Sequence, residues 1–360
     1  MISIPTPQEQ VEFLQKVQRL LGEGLFVASY KFALLRALAD LAVLKGDDTG
    51  NELTLSVDDI AAVFIDLYWR QARPFCAADN STAAALRQNT GRQAAVVRSI
   101  AAAQAEVGGS LPRLRQDVGR WQPLVREVAD VVAVMPLWKL QRVGEEVLDF
   151  LYPNVGSGRT ITLRPGATYC LRAFYGILRN LVEGAWLNYV RTQNLQVLGQ
   201  STDLYTFLFG SERAMLEVYR PFLRDIQSDI CFYCHQPLRH EGEADHFIPW
   251  SRYPVDLGHN FVLAHKGCNG HKSDHLAAEE HLEAWARRNE GHKAALNQFF
   301  EEARLPSDLG ASLGIARWAY SQMATMNGMV WVKGEEMAHL GTEWQALLVE
   351  ASNGVTGVGA

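Results

Sequence analysis

Apolar residues recur every three to four positions through most of this chain. Val11, Phe13, Leu14, Val17, Leu20 and Leu21 mark one face of a helix over 7–22. The stretch 30–39 keeps the same period. The pattern over 53–69 predicts a third helix, with Ser56 ahead of Asp58 and Asp59 near its start. Further helices are predicted over 93–107 and 113–133, on either side of Gly108-Gly109-Ser110. Others follow over 171–191, 211–224, 276–289 and 293–303, and again late in the chain. The stretch 76–90 is small and polar and reads as a linker or mobile loop. Residues 154–158 read as a turn, Thr160-Ile161-Thr162-Leu163 as a short strand, and the Gly-rich tail from Gly354 as frayed. The chain is expected to divide into an N-terminal helical region (1–75), a helical middle with an arginine-rich stretch (76–225), a module that holds the cysteine and histidine cluster (226–290) and a C-terminal helical region (291–360).

Composition changes this picture little. A chain of 360 residues, 48% hydrophobic and 21% charged, is ordinary for a soluble globular protein. No run approaches the 18 or so apolar residues of a membrane span, and the first residues, Met1-Ile2-Ser3-Ile4-Pro5, carry no secretory signal pattern. A reducing cytoplasm is the expected setting. Net charge is -6, which argues against a uniformly basic nucleic-acid coat. Its distribution is uneven: 70–126 holds nine arginines against three acids, while 1–69 holds five basic and ten acidic residues. Arg113, Arg115 and Arg120 in that stretch are candidates for phosphate contact, since guanidinium binds phosphate bidentately. Salt bridges to the acidic flanks are the alternative.

The chemistry concentrates between Cys231 and Lys272. Nine of the ten histidines lie between His235 and His292, and three of the five cysteines between Cys231 and Cys268. Cys231-x2-Cys234 forms one chelating pair, and His265-x2-Cys268 the preferred return pair for a four-coordinate structural zinc. Cys268 with His271 is the alternative return. A second set is harder: Asp245, His246, Asn260 and Asn269. It suits Mg²⁺ or Mn²⁺ beside a general base. His246 is the natural base because its pKa lies near neutrality. Asp245 and Asn269 offer oxygen to a hard cation that keeps its waters. Asn260 is placed to orient the imidazole, and Lys272 and Arg252 to touch phosphate. Neighbours on a regular strand point to opposite faces. For Asp245 and His246 to reach one phosphate, the strand end must therefore be distorted.

Asp245-His246, then Asn260, then Cys268-Asn269-x2-Lys272, resembles the HNH endonuclease family, with Asn269 in the place of the third letter. Ser273-Asp274 fits a subgroup of it, and the Cys pairs match members with an extra zinc clamp; His265 departs from their commoner four-Cys pattern. The resemblance implies a ββα-metal module, zinc-stabilised, within a mainly α protein that is α+β overall. It implies metal-dependent hydrolysis of DNA phosphodiester bonds. The flanking segments 30–35 and 250–254 are similar to stand-alone bacterial HNH proteins of restriction or anti-phage type. This points to defence-system proteins as partners, with oligomerisation open and no membrane. The alternatives are an RNA-cleaving, toxin-like nuclease, which shares the chemistry, and a zinc module that binds nucleic acid or protein without cutting.

Overall fold

A computed structural model describes residues 4–75, 85–91, 93–154, 158–198, 204–210 and 216–356, without the side chains of 352–356. Most of the stretch expected as a linker, the start of the helix expected at 211 and the last four residues lie outside the described residues. The chain divides into two compact units, 1–210 and 211–360.

The first unit is helical: α1 (Pro7–Glu23), α2 (Tyr30–Lys45), α3 (Val57–Trp69), α4 (Ala95–Val107), α5 (Val118–Val134) and α6 (Tyr175–Gln193) are its main elements. Thr6 and Glu9 cap α1 reciprocally, which satisfies two of its orphan amides. Thirteen of the sixteen residues of α2 are buried, so it is the central helix, packed against α3 and α6. The third predicted helix starts later than its apolar pattern suggests. Leu53–Ser56 is a strand, β1, paired antiparallel with β2 (Thr160–Leu163), Leu53 opposite Leu163. The reason is Ser56. Its backbone is extended and its hydroxyl accepts from the amide of Asp59 at 3.0 Å, so it is the N-cap and nothing before it is helical.

The buried face of α2 carries charge. The Arg36 guanidinium donates to Asp40 at 3.0 Å and to Glu183. Tyr175 donates to Asp40 at 2.7 Å, Arg179 to Glu183 at 3.0 Å and Tyr205 to Glu183 at 2.7 Å. Two cations balance two carboxylates, and removing one leaves a buried charge unpaired. Arg36→Met should therefore lower unfolding free energy by about 3–5 kcal/mol. A denaturant titration checks this, and an unchanged midpoint would contradict the network's role.

The second unit holds α7 (Arg220–Ile226), β3 (Glu243–His246), β4 (Phe261–Ala264), α8 (Lys266–Lys272), α9 (Glu279–Gly291), α10 (Lys293–Glu302), α11 (Leu309–Thr325), β5 (Met329–Lys333), β6 (Glu336–His339) and α12 (Trp344–Thr356). β3 and β4 pair antiparallel with Glu243 opposite Ala264 and His246 opposite Phe261, and α8 follows directly. Phe247 stacks on Trp285 with ring centroids 5.1 Å apart. The Trp285 indole and the Arg288 guanidinium both donate to the carbonyl of His259, at 2.9 and 2.8 Å, which fixes the turn into β4. Gly258 in that turn has no room for a side chain, because a Cβ would lie 2.5 Å from the Phe300 ring.

Candidate active site and metal centre

Cys231 and Cys234 sit on a tight turn. Cys231 donates its amide to Gln236 O at 2.9 Å and accepts at its own carbonyl from His235, whose φ is +55°. The amide of Phe232, between the cysteines, donates to Leu263 O at 2.9 Å, so the turn is seated against β4. His265 is the N-cap of α8, and Cys268 lies in its first turn. The ligand atoms of Cys231, Cys234, His265 and Cys268 all lie within 4.8 Å of one another. A tetrahedron with bonds of about 2.3 Å puts its sulfurs roughly 3.8 Å apart, so the donor set fits zinc. The His265 ring is oriented for it. Nδ1 faces Cys234 Sγ at 3.3 Å, while Nε2 lies 3.2 Å from Pro237 O. A proton on Nε2 leaves the Nδ1 lone pair for the metal. Burial and the neighbouring Cys231 and Cys234 push the Cys268 thiol up to about 12. Three thiolates this close need a cation between them. His271 is exposed and outside the cluster, so the His265 pair is the one the fold assembles.

The zinc turn is tied to the second set. Tyr233, inside Cys231-x2-Cys234, donates its hydroxyl to Asp245 Oδ2 at 2.6 Å. Burial and then the Asp245 carboxylate hold that phenol well above its usual pKa, so it stays a donor. Lys272 approaches the same oxygen at 3.0 Å and donates to the carbonyl of His246 at 2.9 Å. The Lys272 side chain is 0% exposed. This corrects the expectation of a phosphate contact at Lys272: its ammonium is turned inward and spent on holding β3.

His246 leaves the opposite face of β3. The pairing with β4 is regular through His246, so the strand end is not distorted as the sequence argument required. The imidazole lies between Phe261 (centroids 4.6 Å apart) and Trp250 (5.3 Å), and its side chain is 13% exposed. Nε2 lies 2.7 Å from Asp256 Oδ1. Asp256 is a candidate-site residue that the sequence reading did not single out. An aspartate accepting from Nε2–H leaves Nδ1 as the basic atom. Asn260 does not orient this ring, contrary to expectation. Its amide makes two bonds to one residue: Oδ1 accepts from Ile248 N at 2.8 Å, and Nδ2 donates to Ile248 O at 3.0 Å. It locks the start of the loop that carries Asp256 and acts on His246 only through that loop.

Asn269 faces β3 from α8. Its Nδ2 donates to Glu243 Oε2 at 3.0 Å, which leaves Oδ1 as an acceptor. Glu243 shares the Asp245 face of the strand, two residues earlier. Carboxylate and amide oxygens from Asp245, Glu243 and Asn269 are the ligand types a hard divalent cation takes. Arg252 is half-buried in the loop after β3, its Nε buried and unpartnered, and burial lowers its pKa. In the first unit, Arg115 pairs with Asp66 at 2.6 Å, and Arg120 pairs with Glu106 at 3.2 Å and with Asp117. Arg113 is exposed. Two of the three candidate arginines are thus engaged within the protein.

Residues 231–278 match a family model described as HNH endonuclease. The match starts at Cys231, the first residue of the Cys/His cluster, and ends just past α8. It supports nuclease activity in general, and a nucleic acid as substrate. No curated protein and no solved structure matches the chain. Among the described residues no helix is long and apolar enough to cross a membrane.

Proposed function

We propose that this protein is a metal-dependent DNA endonuclease of the HNH type. The observation that carries the reading is His246, with one ring nitrogen tied to Asp256, at the end of a strand that also bears Asp245. The strand–strand–helix order of β3, β4 and α8 behind a zinc clamp supports it. In this reading Nδ1 of His246 takes a proton from water, and the hydroxide oxygen bonds to phosphorus. The bond from phosphorus to the 3′ oxygen breaks, and that oxygen leaves with a proton from solvent. The products are a 5′-phosphate and a 3′-hydroxyl. Mg²⁺ or Mn²⁺ held by Asp245 and Asn269 would neutralise charge developing on the phosphate and the leaving oxygen. Asp245 Oδ2 is already engaged, so Oδ1 is the oxygen available to the cation. Arg252 and exposed Arg113 are the candidate backbone contacts. A cytoplasmic role in bacterial anti-phage defence or restriction rests on the family resemblance of the flanking segments.

The test is incubation with supercoiled plasmid, linear duplex, single strands and RNA, with and without Mg²⁺ or Mn²⁺. Metal-dependent nicking of plasmid is the expected result. Cleavage of RNA with DNA left intact would favour the toxin-like reading. Binding without cleavage of any substrate would favour the non-catalytic zinc module. Asp256 gives a sharper check. Asp256→Asn keeps the shape but donates to Nε2, which forces the proton onto Nδ1. Nicking should fall about 10²-fold or more, toward the loss of the base itself, with Asp256→Glu recovering part of it. Equal rates for Asp256→Asn and the parent protein would remove Asp256 from the account.

A further inference from the structure

The first unit contains a cavity of about 460 Å³ that the nuclease reading does not use. Three segments wall it: 25–31 before and into α2, the turn of helix Pro136–Lys139, and the hairpin that joins Arg142–Val143 to Glu146–Val147. Its walls are apolar, from Leu25, Val27, Met135 and Pro136. Leu25 and Val27 are 73% and 62% exposed, unusual for large aliphatic side chains beside a cavity. The polar groups are unbalanced: Lys31, Lys139 and Arg142 face one acid, Glu145.

Lys31 decides the chemistry. It is 8% exposed, and among the described residues its ammonium reaches the carbonyl of Arg142, at 3.3 Å, and lies over the Phe26 ring, 5.4 Å from the centroid. Among the described residues no carboxylate pairs with Lys31, Lys139 or Arg142. A buried cation without a counter-ion is costly. Burial and Lys139 together lower its pKa to about 8, a further sign that compensation is missing. Sites for small organic molecules have this form: a few hundred Å³ of mostly apolar wall with one or two convergent polar groups.

We propose that this cavity binds a small organic anion, its head group on Lys31 and its apolar body against Leu25, Val27, Met135 and Pro136. The size suits an organic molecule rather than an inorganic ion. The charge balance of three cations and one acid suits a head group of one or two negative charges. Lys139 and Arg142 are exposed at the rim and complete the pairing when the head group is doubly charged. The inference is independent of the nuclease reading.

Two fluorescent probes that differ only in charge test it on the full-length protein: 1-anilinonaphthalene-8-sulfonate and uncharged N-phenyl-1-naphthylamine. The sulfonate should bind one per chain and about ten-fold more tightly than the neutral probe, since a charge-assisted contact is gained. In Lys31→Met that preference should disappear. Octanoate and naphthyl phosphate as competitors then separate carboxylate from phosphate head groups. Should Lys31→Met fail to fold, Lys139→Glu on the exposed rim should weaken the sulfonate more than the neutral probe and so narrow the preference. Equal affinity for the two probes in the parent protein would overturn the proposal. So would a sulfonate preference that survives both substitutions.

Discussion

Cys231→Ala, or His265→Ala, is expected to release zinc and unfold the segment from Cys231 to Lys272. Structural zinc contributes roughly 10 kcal/mol or more to small modules. A whole domain is stable by only about 5–15 kcal/mol. The metal term is therefore as large as the net stability it supports, and the local fold has no reserve against its loss. The segment's regular structure is short: two four-residue strands and a seven-residue helix. The effect should reach the chemistry, because Tyr233 inside the zinc turn holds Asp245. His271→Ala should keep its zinc, since His271 is exposed and outside the cluster. Metal analysis of purified protein, expected at about one zinc per chain, together with melting of each variant, checks this. Folded parent protein with almost no zinc would contradict the assignment.

The Cys231, Cys234, His265 and Cys268 cluster was legible in the sequence because chelation imposes a spacing: two x2 pairs must meet around one ion. The preference for His265 over His271 followed from where α8 would start, and that is where it starts. The helices α1, α2 and α4 were legible for a similar reason, since a buried face forces a period. What the sequence hid has no period. Asp256 reaches His246 from a loop whose path is set by Asn260 clamping Ile248, and no local rule links positions 246 and 256. The inward turn of Lys272 was hidden because a lysine one helical turn past Asn269 reads as a surface charge. Only the buried Asp245 beside it gives the ammonium a reason to point in. Glu243 was within reach of the alternation rule, being on the Asp245 face of β3, but a lone acid carries no signal by itself. The strand at 53–56 was concealed by apolar residues that suit either period, and its partner lies more than a hundred residues away.

His246→Ala should abolish cleavage while leaving fold, zinc and nucleic-acid binding nearly intact. Losing a general base costs on the order of 10²–10⁴ in rate. The side chain contributes to the transition state, and its neighbours Phe261 and Asp256 are held by β4 and the Asn260 clamp rather than by the ring itself. Asp245→Ala and Asn269→Ala should also lower activity, and extra Mg²⁺ or Mn²⁺ should restore part of it, since a weakened site fills at higher metal concentration. That metal rescue should be absent for His246→Ala. The decisive measurement is plasmid nicking by purified His246→Ala across a range of Mg²⁺ concentrations, beside the parent protein prepared in the same way. Loss of nicking at every concentration, with zinc content and melting unchanged, is the predicted result. Nicking at the parental rate, in material free of contaminating nuclease, would contradict the mechanism and leave a zinc module that does not cut.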